Sequence, residues 1–138
     1  MPSKNQMTGM CGVYLVAAEL SKHGFIASPT SRSARGADIL VTDPDCTRAF
    51  SVQVKTNAVG SSYWLLSQHG KKMVSPTHIY VFVNLYQEGN RADFFVVPSK
   101  VVAKKMGQQK QGENIWYWLM REDAEPFQNK WDIFHATK

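Results

Sequence analysis

The sequence predicts a domain of mixed helices and strands, an α/β (α+β) fold, from three observations. Apolar residues recur at helical spacing near the N-terminus, over residues 8–23. Polar and apolar residues alternate through both arms of segment 37–57, which is the side-chain period of a strand. Residues 78–86 are almost continuously apolar, β-branched or aromatic, which is typical of a buried central strand.

The first predicted element is an N-terminal helix. Thr8 is a favoured N-cap type, and Gly24 follows the last periodic position as a C′ glycine. We therefore predict a helix over residues 8–23, with a frayed end at 1–6 and a first strand at 24–28. Glu19 lies at the edge of the apolar stripe, where it either reaches for water or approaches a site on the neighbouring strands. The stripe consists of Met10, Val13, Val16, Ala17 and Leu20.

The segment 37–57 predicts a β-hairpin with one polar face. Its turn is Asp43-Pro44-Asp45, in which the Asp side chain bonds the backbone and the Pro fixes the next φ angle. On the second arm Gln53 and Lys55 point to the same face. Asp38 begins the first arm, so a carboxylate, an amide and a lysine are expected to converge.

The rest of the chain predicts further strands and short helices. Residues 63–66 form a short apolar stretch in which Trp64 is expected in the core. Residues 107–112 read as a mobile polar loop and 115–120 as an edge strand. The other predictions are a central strand at 78–86, a strand at 92–97, a helix at 100–106 capped by Ser99, and a terminal helical segment at 122–134 that docks Phe127, Trp131 and Phe134.

Length and composition favour one domain, residues 1–138, with a single hydrophobic core. The chain is 43% hydrophobic and 20% charged, as in ordinary globular proteins. No apolar run approaches the length of a membrane span and no secretion signal is visible, so we expect no membrane partner and a cytoplasmic location. Cys11 and Cys46 have no partners at zinc-ligand spacing, which favours free thiols.

The charge is unevenly distributed. The chain carries a net charge of +5, but residues 1–112 contain 13 basic and 6 acidic side chains, a net charge of +7. A basic body of this kind suits a phosphate polymer such as DNA, although many basic proteins bind no nucleic acid.

The predicted convergence at the hairpin suits metal-assisted phosphodiester cleavage. A cation such as Mg²⁺ or Mn²⁺ prefers oxygen ligands, and the Asp38 carboxylate, the Gln53 amide oxygen and the Val54 carbonyl supply three. Lys55 is then placed to hold or deprotonate the attacking water. The competing interpretation is that these residues form only the solvated face of an amphipathic strand.

Several basic and amide residues flank this predicted site. Arg32 and Arg35 lie on the loop that leads into Asp38, Asn57 lies just beyond Lys55, and Lys71 and Lys72 form a short basic stretch. Each is a candidate contact to a DNA backbone. Each is equally compatible with a solvated surface.

The order of these features resembles the PD-(D/E)XK nuclease superfamily, in particular Holliday-junction resolvases and the catalytic domains of Mrr-type restriction enzymes. The resemblance covers residues 12–57. It implies an αβββαβ core with a central mixed sheet flanked by helices. It also implies that Asp38 ligates the metal, Gln53 stands at the (D/E) position, Lys55 is the catalytic lysine, and Glu19 is the first-helix glutamate. Gln53 departs from the usual acid, which implies weaker metal binding, and no Pro precedes Asp38.

Three functions fit these residues. The first is a metal-dependent DNA endonuclease acting on ordinary, branched or single-stranded DNA. The second is a catalytically inactive nuclease-like module that binds nucleic acid or assembles with protein. The third is an interaction domain in which the aromatic run 116–118 forms a homodimer contact, because a large aromatic surface rarely stays bare in water.

Overall fold

The computed structural model of the protein describes residues 3–31 and 36–136. Four helices and eight strands occur in this part of the chain, with three short 3₁₀ turns at Gln68–Lys71, Glu88–Asn90 and Glu125–Phe127. In chain order the elements are α1 (Lys4–Lys22), β1 (Ile26–Pro29), β2 (Ile39–Thr42), β3 (Ala49–Asn57), β4 (Tyr63–Leu66), β5 (His78–Tyr86), β6 (Arg91–Pro98), α2 (Ser99–Lys105), β7 (Gly107–Gln111), β8 (Asn114–Met120), α3 (Arg121–Ala124) and α4 (Ile133–Ala136).

The central sheet has five strands in the order β1-β2-β3-β5-β6. Strands β3 and β5 are parallel, and the other described neighbours are antiparallel. The mixed sheet with flanking helices is thus confirmed, as are the β2–β3 hairpin and the central position of β5. The connection from β3 to β5 differs from the αβββαβ order: within the described residues it consists of β4 and a 3₁₀ turn rather than an α-helix.

A second, smaller sheet has the order β4-β8-β7 and is antiparallel. Two predictions are wrong here. Residues 107–112 are not a loop, because β7 pairs along its whole length with β8. Strand β8 is not an edge strand, since it lies between β4 and β7. Strand β7 was not predicted because its sequence is polar. Its backbone forms hydrogen bonds with the aromatic strand β8.

The central sheet buries apolar side chains on both faces, so the core has two parts. On one face Val16 and Leu20 of α1 pack with Val52 and Val54 of β3. On the other face the small sheet contributes Trp64 and Leu119, with α2 and α3. Trp64 is 1% exposed, which confirms its prediction as a core residue, and its indole nitrogen donates to the carbonyl of Val83 (3.0 Å).

Helix α1 begins earlier than predicted. Ser3 is the N-cap and forms a capping box with Gln6, in which each side chain bonds the other's backbone nitrogen. The prediction of Thr8 as N-cap and of a frayed segment is therefore wrong for the described residues. The predicted C′ glycine is confirmed: Gly24 has φ +88°, a conformation that favours glycine. In the described part of the chain no helix is long and apolar enough to cross a membrane.

The C-terminal segment is less regular than predicted. Pro126 lies within the 3₁₀ turn that follows α3, and the chain becomes helical again only at α4. Trp131 and Phe134 are buried against the central sheet as predicted. Ser99 does not cap α2; its buried hydroxyl donates to the Ser75 carbonyl (2.8 Å) and accepts from the Ser75 nitrogen (3.0 Å).

Candidate active site

Backbone hydrogen bonds fix Asp38 at the start of β2. Its nitrogen donates to the carbonyl of Val52 (2.8 Å), and its carbonyl accepts from the nitrogen of Thr30 (2.9 Å). Thr30 also holds the preceding residue, because its hydroxyl donates to the carbonyl of Ala37 (2.6 Å). The backbone of Asp38 is therefore hydrogen-bonded to β3 on one side and to the residue that follows β1 on the other.

The Asp38 carboxylate lies against β3. Its Oδ2 accepts from the nitrogen of Val54 (2.8 Å) and from Nε2 of Gln53 (3.2 Å). Period-two alternation explains the meeting, because Ile39 pairs with Val52 in the core and the residues before and after them face the opposite side. The structure thus brings together the predicted carboxylate and amide.

The orientation of the Gln53 amide differs from the one predicted for a metal ligand. Its nitrogen, and not its oxygen, faces Asp38. For Oε1 of Gln53 and a carboxylate oxygen of Asp38 to bind the same cation, the amide has to turn about its last side-chain torsion. That torsion is broad and soft, so the exchange is a small rearrangement.

Lys55 lies two residues beyond Gln53 on the same face of β3 and is half-buried. Burial lowers the pKa of its ammonium, and the Asp38 carboxylate opposes this effect by raising the pKa. Gln53, which contacts Asp38, and the predicted lysine are alternate residues on one face of β3.

A cavity of about 310 Å³ opens beside Lys55. Its lining is mostly polar at the end of β3, where Thr56 and Asn57 follow the lysine. Asn5 of α1 also contributes, although the sequence placed it in a frayed segment; the capping pair Ser3 and Gln6 was the signal that could have found it. The remaining lining residues are Ser61, Tyr63, Trp64 and Leu65.

Asn57 has a structural role that its prediction as a DNA contact did not include. Its amide nitrogen donates to the carbonyl of Tyr63 (2.8 Å) and to Oδ1 of Asn84 (3.0 Å). Asn84 is fully buried and donates in turn to the carbonyl of Ser61 (3.1 Å). These bonds hold the start of β4 beside the cavity.

Glu19 is not hydrogen-bonded to the other candidate residues in the described structure. Its carboxylate forms an ion pair with Lys22 on the same helix, at 3.3 Å. Helix α1 packs on the sheet face that carries Val52 and Val54, whereas Gln53 and Lys55 occupy the opposite face. Spacing along the helix alone did not reveal this difference of face.

The other predicted DNA contacts stay predictions, and the structure describes the positions of only some of them. Arg32 and Arg35 lie outside the described residues. Lys71 and Lys72 are exposed at the 3₁₀ turn that follows β4. Met73, which follows this turn, lies against Gly36, because a Cβ atom added to that glycine would overlap the methyl group of Met73.

The described residues contain no group of three or more His, Cys, Asp or Glu side chains that could hold a metal. Cys11 and Cys46 are free, as predicted, and both are exposed. Nδ1 of His78 and the Ser51 hydroxyl share one hydrogen bond (2.7 Å). Nε2 of His78 is buried and has no hydrogen-bond partner among the described residues. Burial lowers the pKa of His78, which favours the neutral ring.

Comparison with solved structures identifies the fold. Hjc, a Holliday junction resolvase of the archaeal hyperthermophile Archaeoglobus fulgidus, matches with a TM-score of 0.54 and 14% identity over 87% of this chain and 88% of its own. A bacterial homing endonuclease matches with a TM-score of 0.61 and 14% identity over 98% of this chain and 94% of its own. By sequence, no protein-family model and no curated protein matches.

The fold of this chain is therefore similar to that of the resolvase and of the homing endonuclease, which agrees with the nuclease-like fold that the sequence predicted. At 14% identity these similarities establish the fold. A fold does not determine the reaction or its substrate, which depend on the residues of the site.

Proposed function

We propose that the protein is a metal-dependent DNA endonuclease whose site consists of Asp38, Gln53 and Lys55. The observation that carries the proposal is the contact of the Asp38 carboxylate with β3, at 2.8 Å from the Val54 nitrogen and 3.2 Å from the Gln53 amide. It places an acid beside a strand that continues to a half-buried lysine. The nuclease fold and the basic body of the chain support the same conclusion.

The residues at this site suit a hard divalent cation. A strand residue directs its N–H and C=O to the same edge, so the Val54 carbonyl points to the side from which its nitrogen contacts Asp38. Asp38, the Val54 carbonyl and a turned Gln53 amide would hold Mg²⁺ or Mn²⁺. When bound, the cation supplies positive charge that polarises the scissile phosphate.

Lys55 is the residue that handles protons in this proposal. Its ammonium donates hydrogen bonds to the attacking water and offsets the negative charge that develops on the phosphate oxygens. Because burial lowers its pKa, it releases a proton more readily than an exposed lysine and can help to deprotonate the water. Asp38 keeps the ammonium close through their attraction.

A nicking assay on supercoiled and branched DNA tests the proposal. With Mg²⁺ or Mn²⁺ present, Lys55→Ala and Asp38→Ala are each expected to reduce the cleavage rate by about 10²- to 10⁴-fold. The exposed lysine of α2 in Lys104→Ala and the exposed turn residue in Asp45→Asn are matched controls and should cleave at the wild-type rate. Cleavage that persists in both site variants would refute these assignments.

The second candidate is a nuclease-like module that binds DNA without cutting it. The observation that favours it is the small number of acids: among the described residues only Asp38 supplies a carboxylate to this hydrogen-bonded cluster, and Glu19 is paired with Lys22. Calorimetry separates the candidates. An enzyme should bind Mg²⁺ or Mn²⁺ and lose this binding in Asp38→Asn, whereas the module should bind DNA but no metal.

A further inference from the structure

We propose that the outer face of the small sheet binds the bases of an unpaired DNA strand and leads that strand to Lys55. We call this surface the aromatic face. The proposal rests on the proposed function, because it assigns a substrate class to the same site. That class is single-stranded DNA or a branched duplex with an unpaired arm. The aromatic face consists of Tyr63, Leu65, Gln109, Gln111, Trp116, Trp118 and Met120.

Strand alternation produces the aromatic face. Trp64 and Leu119 point into the core, so their neighbours on β4 and β8 point outward. Tyr63 and Trp116 are each 45% exposed although both are large aromatic residues. The surface between the three strands forms a groove of about 370 Å³. Aromatic rings on an exposed sheet face are a known platform on which single-stranded nucleic acids stack their bases.

The pairing register arranges these rings in adjacent rows. Leu65 is opposite Trp118, which is in turn opposite Gly107. The indole of Trp118 lies over that glycine, because a Cβ atom there would overlap the ring. In the next row Trp116 is opposite Gln109. The half-buried indole of Trp118 is thus bordered by a glycine without a side chain, and the exposed indole of Trp116 by an amide that can contact a base edge.

The aromatic face adjoins the cavity that Lys55 lines. Tyr63 and Leu65 line both this groove and the cavity that contains Lys55. A strand whose bases stack on Trp116 and Tyr63 would therefore pass its backbone toward that lysine. Among the described residues no Asp or Glu lines either cavity, so no carboxylate repels a phosphate along the path.

A second copy of the chain fits this face less well than a DNA strand. A partner seated on Tyr63 and Leu65 would cover the entrance to the Lys55 cavity. Stacking needs only an exposed ring, and it tolerates any base because every base has a π-face.

The test is fluorescence anisotropy with a labelled oligothymidine and with a duplex of the same length, in EDTA so that neither metal nor cleavage contributes. Trp116→Ala and Tyr63→Ala should each weaken oligothymidine binding by about 5- to 150-fold, the range typical of one stacked base. Ile115→Ala is the matched control, because Ile115 is equally exposed but adjacent to Trp116 on the other side of β8. It should bind as the wild type does.

Wild-type affinity in both aromatic variants would overturn the proposal, provided that their unfolding midpoints match that of the wild type. Sedimentation adds a second readout: a wild-type dimer that becomes monomeric in Trp116→Ala would assign the face to a second copy instead. The proposed nuclease activity is tested separately by nicking of duplex DNA. Oligothymidine binding with no cleavage would refute only the enzyme, and cleavage with no such binding would refute only the aromatic face.

Discussion

The carboxylate of Asp38 has a structural duty as well as its proposed chemical one. Its Oδ2 satisfies the nitrogen of Val54, which no residue of β2 reaches because that strand begins at Ile39. A buried or half-buried N–H group without an acceptor lowers the stability of the folded protein. Asp38 therefore contributes to stability as well as to the proposed reaction. A substitution that keeps the acceptor oxygen but removes the negative charge can distinguish the structural role of Asp38 from its proposed chemical role.

Removal of the Asp38 acceptor should reduce stability. Asp38→Ala leaves the Val54 nitrogen and the Gln53 amide without their acceptor, and we expect a loss of about 1–3 kcal/mol in the free energy of unfolding. Asp38→Asn keeps an oxygen at this place and should lose less, while removing the charge that a cation needs. Urea denaturation of the two variants measures the difference; equal losses would show that the hydrogen bonds contribute little.

Lys55 should reduce stability at neutral pH. Burial lowers the pKa of Lys55 in the folded protein below the ordinary value of 10.5 that it has in the unfolded chain. At a pH between these two pKa values the unfolded chain binds more protons than the folded protein. The free energy of unfolding therefore rises with pH in this window. Below the folded pKa the full penalty is present. Lys55→Met should therefore unfold at a higher temperature than the wild type at pH 7, with a gain that shrinks as the pH approaches 10.5.

Thermal unfolding across this pH range checks the expectation. Lys104→Met is the matched control, because that side chain is exposed on α2 and should show no gain that varies with pH. A Lys55→Met variant that is less stable than the wild type at pH 7 would mean that the attraction of Asp38 outweighs burial. Such a result would mean that the pKa of Lys55 is raised, and not lowered, from its ordinary value.

At the scale of elements, the contact between α1 and β3 determines how closely the helix approaches the sheet. Gly12 is buried, and a Cβ atom added to it would overlap the hydroxyl of Thr56. That hydroxyl is itself buried with no hydrogen-bond partner among the described residues. Because Asn5 and Thr56 both line the Lys55 cavity, this crossing also shapes the candidate active site.

Two glycines of α1 should respond in opposite directions to alanine. Gly12→Ala forces the helix away from Thr56 and should cost about 1–3 kcal/mol of unfolding free energy. Gly9→Ala meets no atom within 4 Å and should gain about 0.5–1 kcal/mol from reduced backbone entropy. Chemical denaturation measures both. A Gly12→Ala variant as stable as Gly9→Ala would show that the helix moves outward at no cost.

At the scale of the whole molecule, charge distribution sets the expected behaviour toward DNA. Residues 1–112 carry a net charge of +7, and the exposed Lys71 and Lys72 directly precede Met73, whose methyl group lies against Gly36. Phosphate contacts release counterions, so affinity should fall steeply as salt is added. The aromatic face should contribute a term that depends much less on salt, because stacking neutralises no phosphate.

The salt dependence provides a direct test of the two exposed lysines. Replacement of Lys71 and Lys72 by Ala should reduce the slope of log K against log[salt] by roughly 1.4–1.8, about 0.7–0.9 for each phosphate that is no longer neutralised. Titrations at several salt concentrations measure it. The double variant Lys104→Ala/Lys105→Ala removes the same charge from α2 and should leave the slope unchanged. Equal slopes in the two double variants would assign Lys71 and Lys72 to the solvated surface.

Local patterns alone determined much of this protein. Period-two alternation and the Asp43-Pro44-Asp45 turn predicted the β2–β3 hairpin, and the shared face of Gln53 and Lys55 follows from the same period. The continuous apolar run predicted β5 with its observed bounds. These features depend on side chains a few residues apart, whose geometry the backbone fixes.

Only the tertiary structure decided the features that depend on distant partners. Strand β7 is polar and forms because β8 supplies its hydrogen bonds, and the Gln53 amide is oriented by a carboxylate 15 residues away. Glu19 pairs with its helical neighbour Lys22, and α1 packs on the sheet face opposite Lys55; helical spacing cannot reveal that packing face. Sequence spacing fixes which side of its own element a residue occupies, and packing fixes what that side meets.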